Sequence, residues 1–327
     1  MPRARPGSAT TFAEGSHKPA SSDTGLPALK SVAAPRSIRM MTLGRLAPSG
    51  GCRNQVIRSF CIPKAPLVRW RAMILRSPEN GTRLLISQPS HALLSGQMMA
   101  AWGAPGFARP DPAPEVILAA EQHDIAWLSW ETAPTLDRET GLPHPFTRLG
   151  PAVHAPMWAR GVEIARAAYG LWPALLISLH GTRVYTEYMD PESLPPEDHA
   201  AIDRNNAKEA ALQADWIAKL GVSREQVKRN SALVAVTDAL SLALCFADPD
   251  KAGKAPMEDG STRKMKLVRQ GTSRWSLGPW PFRGSTLTLQ CETIRLPAET
   301  RWTDEEAMRR DLRDAAWSTL VETLAPA

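Results

Sequence analysis

The sixteen residues from Ser231 to Phe246 contain a single charged side chain, Asp238, and that carboxylate constrains the fold more than any other feature. Val234, Ala235, Ser241 and Leu242 lie three or four residues away on the same helical face, so the side chain points toward a core. An ionised carboxylate in that setting costs several kcal/mol unless a cation or strong donors compensate it. Histidines at core-facing positions offer a reason to keep it there. His91 shares a stripe with Leu94, Ser95, Met98 and Trp102, and His123 shares one with Val116, Ala119, Ala120 and Trp127. His180 follows Leu176 and Ile177 on an apolar segment, and Asp124, directly after His123, repeats the difficulty of Asp238. Two inward carboxylates and three or four inward imidazoles suit a divalent transition metal, because imidazole nitrogen and carboxylate oxygen are ligands for Zn, Fe and Mn. A lone core histidine is more often bonded to a backbone carbonyl, and a His-Asp pair by itself carries little weight. The joint occurrence carries the expectation.

Periodicity places these residues on a series of helices. A short strand, 82–87, precedes a helix from about Ser90 to Gly103, and a second helix runs from about Glu115 through His123-Asp124. Residues 131–153 read as a long irregular loop, a length at which loops are often functional. Further helices are expected over about 155–169, from Pro173 to His180-Gly181, over 196–219 and over 231–246, the last too short to span a bilayer. The segments KMKLVRQ, RWSLGP and STLTLQCETIRL alternate as strands do, and a final helix from Thr303 gives way to a strand near Trp317. The expected fold is mainly α: a helical bundle with a small β element near the C-terminus. No glycine fingerprint follows a strand, so neither a dinucleotide site nor a P-loop is indicated.

Charge divides the chain. Of the formal net charge of +6, residues 1–72 hold twelve Lys/Arg against Glu14 and Asp23, and the remainder is mildly acidic with 27 basic against 31 acidic residues. A phosphate-tracking nucleic-acid surface on the body is therefore not expected. Residues 1–72, rich in Arg, Ser, Pro, Gly and Ala, read as a disordered or non-native extension. A transit peptide, a disordered tail and translated upstream sequence all fit; the last is preferred, with Met73 as the natural start because patterning begins there. Residues 73–327 then form one metal-binding domain. The cysteines at 52, 61, 245 and 291 have no C-x-x-C spacing, and no run of 18 apolar residues exists, so a protein of the cytoplasm with no membrane partner is expected.

The segments AAEQHDIAW and VTDALSL resemble the metal-binding motifs of the HD-domain superfamily, in which an H…HD…D set binds metal on a helical bundle. More narrowly, ISQPSHALLSGQMMAAWG, EQHDIAWLSWE, LDRETGLPHPF, LLISLHGT and TDALSLALC resemble a bacterial family catalogued as domain of unknown function 3891, over roughly residues 73–325. The superfamily resemblance implies that His91, His123, Asp124 and Asp238 bind one metal. It further implies that His154 and His180 serve a second, with Asp124 bridging the pair. The HHE and GYP segments of the cyclic-dinucleotide phosphodiesterase branch are absent from the sequence, which puts that substrate in doubt.

The expected function is metal-dependent hydrolysis of a small phosphorylated molecule by a metal-bound hydroxide, with Asp124 and His180 catalytic. Asp137, Arg148, Arg183 and Tyr185 are expected to line the substrate site, on position alone. Two alternatives use the same residues: a diiron oxygenase, and a non-catalytic ligand-binding or regulatory module.

Overall fold

A computed structural model describes residues 73–132, 134–189 and 194–327. The expected extension at 1–72 lies outside the described residues. Period-2 alternation sets the first strands: in β1 (Met73–Leu75) and β2 (Thr82–Ser87), Ile74, Leu84 and Ile86 face one core while Met73 and Leu85 face another. The Ser87 hydroxyl accepts from Ser90 N–H at 3.1 Å and caps α1 (Gln88–Ala101). Next come α2 (Ala113–Gln122), a 3-10 turn (Ile125–Trp127), α3 (Leu128–Glu131), and the short strands β3 (Leu136–Asp137) and β4 (Leu142–Pro143). Helices α4 (Pro151–Tyr169) and α5 (Leu171–Arg183) meet at Gly170, whose φ of +90° breaks the chain direction. A π turn (Val184–Tyr188) extends α5, and α6 (Pro196–Leu220) ends on left-handed Gly221. Helix α7 (Arg224–Phe246) is capped by Ser223, which accepts from Gln226 N–H. The remainder is β5 (Lys254–Pro256), β6 (Thr262–Lys264), β7 (Lys266–Gly271), β8 (Arg274–Gly278), β9 (Leu287–Pro297), α8 (Glu305–Asp314) and β10 (Trp317–Pro326).

Six strands form one sheet in the order β1-β2-β9-β10-β8-β7, antiparallel except for the parallel pair β10–β8. One face, through Leu289 and Cys291 of β9, joins the main core with α1, α2, α5 and α7. The other face carries Ile294 and Leu85 against Met308 and Leu312 of α8.

A mainly-α, HD-like bundle with only a small C-terminal β element is therefore not what the chain builds. The sheet begins at Met73, runs to Pro326 and walls the helical core along one side. The strands' periodicity is local, but their pairing is not: β2 adds to β9, Leu85 opposite Ile294, with seven helices and six strands of the described residues between them in the chain. Two smaller corrections follow. The expected loop 131–153 contains the β3–β4 hairpin and the first turn of α4. Helix α7 begins seven residues before Ser231, and its 23 residues are long and apolar enough to cross a membrane by length and composition. That apolar window is 72% buried within the protein, as a core helix's would be.

Candidate metal centre

Four helical segments bring the centre together. His91 lies in the first turn of α1, His180 in the last turn of α5 and Asp238 in the middle of α7. Helix α2 stops at Gln122, one residue short of the doublet. His123 caps it, and Asp124 takes φ −102°, ψ 19° at the start of the 3-10 turn, so the two adjacent side chains leave the backbone in different directions yet reach one point. All five residues are at least nine-tenths buried.

The contacts among them are close. His91 Nε2 is 2.6 Å from Asp124 Oδ2 and 3.9 Å from Asp238 Oδ1. His123 Nε2 is 3.6 Å from Asp124 Oδ2 and 3.3 Å from Asp238 Oδ1, and His180 Nε2 is 3.9 Å from Asp238 Oδ2. Ligands about 2.1 Å from a common ion stand about 3–3.5 Å apart, so these separations surround a space the size of one cation.

Hydrogen bonds from outside the cluster fix which ring nitrogens are free. His123 Nδ1–H donates to the Ala120 carbonyl at 2.7 Å, which turns Nε2 inward toward the carboxylates of Asp124 and Asp238. That Nε2 is fully buried and, 3.3 Å from Asp238 but out of line with it, has no hydrogen-bond partner among the described residues. The Ser241 hydroxyl donates to the Asp238 carbonyl at 2.7 Å, so it accepts from Ser95 Oγ at 3.1 Å and from His91 Nδ1–H at 2.8 Å. With Nδ1 engaged by Ser241, His91 faces the Asp124 carboxylate with Nε2 at 2.6 Å. Lone pairs facing carboxylate oxygens repel unless a proton or a metal ion lies between them.

Charge in the cluster is finely set. Burial opposes a proton on His123, but the carboxylates of Asp124 and Asp238 outweigh it and raise its pKa to about 9. Burial, reinforced by positive charge on His123, lowers His180 to about 4 and keeps it neutral. Burial pushes Asp124 and Asp238 up, yet the neighbouring imidazoles win and hold both carboxyls below the ordinary aspartate range.

A cavity of about 430 Å³ opens on the cluster, with His91, Asp124, His180 and Asp238 at its base. Trp127, Phe146, Trp158, Val184 and Leu242 form its apolar walls, and Gln88, Tyr188, Asp250 and Lys251 add polar groups. Gln88 is 1% exposed and its Oε1 has no partner among the described residues.

The other sequence-nominated residues lie elsewhere. His154 is outside both groups able to hold an ion; its Nδ1 is 2.8 Å from Tyr185 Oη, and the two rings stack at 5.3 Å. Asp137 and Arg148 pair with each other at 3.1 Å beside β3, lining a different pocket, and Arg183 pairs with Glu187 on the far side of the π turn. None of Asp137, Arg148, Arg183 and Tyr185 lines the 430 Å³ cavity. Missed were Gln88, Tyr188 and Lys251, which sit on a helix start, a π turn and a 3-10 turn where periodicity gives no face. Ser95 and Ser241 were visible as members of the His91 and Asp238 stripes, but nothing in the spacing signalled that they meet.

The arrangement defines a helix-and-sheet protein with a buried cluster of three imidazoles and two carboxylates: His91, His123 and Asp124 on one side, His123, His180 and Asp238 on the other, could hold a metal ion. The chain belongs to the family described as Protein of unknown function (DUF3891), whose pattern it matches over residues 73–298. No curated protein and no solved structure matches it.

Proposed function

We propose that this protein is a metal-dependent hydrolase that cleaves a phosphoester in the 430 Å³ cavity. The observation that carries the reading is His123 Nε2: buried, turned inward by the Ala120 carbonyl, and without a partner between two carboxylates. Between two carboxylates that nitrogen has to carry either a proton or a cation, and a bound divalent ion would take the proton's place. Zn, Mn and Fe each fit a shell of imidazole and carboxylate, and such an ion supplies a hydroxide nucleophile near neutral pH and polarises a phosphoryl oxygen.

The chain's own groups have separable tasks. Asp124 and Asp238 supply the negative charge that holds the ion, and Ser241 and the Ala120 carbonyl orient the rings of His91 and His123. His180, kept neutral by its burial, completes the ligand group with His123 and Asp238. Gln88 Oε1 offers an acceptor to a water in the cavity. Trp127, Trp158 and Leu242 keep bulk solvent away, which strengthens each electrostatic contact.

Elemental analysis of purified protein, with His123→Ala as control, tests the first half. About one divalent ion per chain is expected, lost in the variant. A phosphoesterase assay with Mn²⁺, Zn²⁺ or Fe²⁺ restored after chelation tests the second. The apolar walls favour one other reading, an oxygenase acting on a C–H bond with two irons; iron as the sole metal, with substrate-dependent O₂ uptake, would establish it instead. Protein that takes up no metal would be a binding module.

A further inference from the structure

Three carboxylates, Asp124, Asp238 and Asp250, and one ammonium, Lys251, line the cavity. With the imidazoles neutral as ligands, one divalent ion brings that lining to zero net charge. Lys251 is further occupied by Asp248 at 3.6 Å and sits 5.5 Å from the centre of the Phe246 ring, so its pull on a ligand is shared. Among the described residues no arginine lines the cavity, although two-fold charged phosphates are usually gripped by one or more. Above the ligands the walls are aromatic. The Trp127 ring lies edge-to-face with Phe146 at 6.0 Å and with Trp158 at 6.4 Å, which offers flat apolar surface to a flat group. The volume, about 430 Å³, is at the small end for an organic ligand.

We infer that the site selects a ligand with one negative charge and a planar apolar arm; on the hydrolase reading, on which this rests, the substrate is an aryl or similarly flat phosphodiester. In a lining already at zero net charge, a phosphomonoester dianion leaves two charges uncompensated and a diester only one, so burial costs the diester less. The reaction then needs water alone. The water oxygen bonds to phosphorus and the bond from phosphorus to the arm's oxygen breaks. One water proton leaves on the released alcohol, and the other ionises from the monoester product.

The test titrates Mn²⁺-loaded full-length protein with three probes and follows quenching of tryptophan fluorescence, since Trp127 and Trp158 face the cavity. Diphenyl phosphate carries one charge and flat arms, phenyl phosphate two charges and one flat arm, dimethyl phosphate one charge and no flat arm. Diphenyl phosphate is expected to bind at least about tenfold tighter than either of the others. Phe146→Ala, a substitution at a half-buried position, should weaken diphenyl phosphate about fivefold and leave dimethyl phosphate unchanged. Lys251→Ala, at an exposed position, should weaken the two monoanions about threefold. Equal or tighter binding of phenyl phosphate, or of dimethyl phosphate, overturns the inference. Turnover of bis(4-nitrophenyl) phosphate separates the two claims. Tight diphenyl phosphate binding without turnover sinks the hydrolase reading and leaves the selection rule standing; turnover without preference does the reverse.

Discussion

Replacing Asp238 by Asn keeps the side chain's shape and removes one of the two buried carboxylates, and its effect on stability tells a metal centre from an ion-pair network. In metal-free protein at pH 7.5, His123 retains a proton because its pKa is about 9, and it stands between Asp124 and Asp238, one positive charge against two negative. Asp238→Asn leaves His123 and Asp124 balanced, so no unpaired charge remains in the core. Neutralising part of a buried ion cluster in that way is expected to change stability by no more than about 1 kcal/mol, roughly 2–4 °C in Tm for a body of this size. The metal response should change completely. Wild-type protein with a divalent ion at a hundred times its Kd gains about 2.7 kcal/mol, or roughly 5–10 °C. Asp238→Asn should lose most of that gain, since Asp238 Oδ1 and Oδ2 are the carboxylate oxygens nearest His123 and His180. Thermal melts of both proteins, with chelator and with Zn²⁺ or Mn²⁺, read the outcome directly. The reasoning is refuted if Asp238→Asn costs about 3–5 kcal/mol in chelator while the wild type shows no metal-induced shift, the pattern of a broken structural ion pair.

Titration supplies two further expectations. With its pKa raised from about 6.5 to about 9, His123 stabilises metal-free protein fully below pH 6.5, and that contribution is lost as pH rises through 9. Metal competes for the same nitrogen, so affinity should climb over pH 6.5–9 with about one proton released per ion, measured by calorimetry in buffers of different ionisation enthalpy. His154 and His180, both lowered to about 4, act in the opposite direction: the stability that comes from burying them neutral is present above pH 6.5 and is lost as pH falls toward 4. Melts over pH 4–7 should therefore flatten in His154→Gln, and an unchanged slope would count against this assignment. Gly181→Ala should destabilise by about 1–3 kcal/mol or more and depress metal uptake, because the added Cβ would meet Trp158 Nε1 at 2.0 Å, one residue from His180. Wild-type melting and metal content in that variant would contradict the packing described.

Much of this was legible from residue patterns, and the limits have physical causes. Charge on an apolar face is expensive whatever it packs against, so Asp238 announced a buried cluster, and His91, His123, Asp124 and His180 fell on matching stripes. The helices α4 and α6 were visible because each buries one face, and α5 and α7 because they are long apolar runs between turn signals, buried nearly all round. Sheet order was not, because pairing between β2 and β9 depends on hydrogen bonds between segments whose sequences do not name each other. The same reason hid the anchoring of His91 by Ser241, 150 residues on. Chain proximity misled where it stood in for geometry. Arg148 and Arg183 are near the ligands in sequence, yet each has spent its charge on a local carboxylate, Asp137 and Glu187. Tyr185 turned toward His154, while Tyr188, three residues on, reached the cavity.

The position of β10 has a consequence for how the protein is made. This strand lies between β9 and β8, so both halves of the sheet wait for residues 317–326 before they can close. Until then Leu289, Cys291 and Leu277, all buried in the finished protein, sit along open strand edges that could pair with another chain. Synthesis from the N-terminus thus delivers the seam after the five strands it joins, and a nascent chain carrying every proposed metal ligand is still an unsealed sheet. The residues matched to the family end at 298, before α8 and β10. A fragment cut at that boundary would retain His91, His123, Asp124, His180 and Asp238 and would be expected to aggregate, its chemistry intact on paper and its closing strand missing.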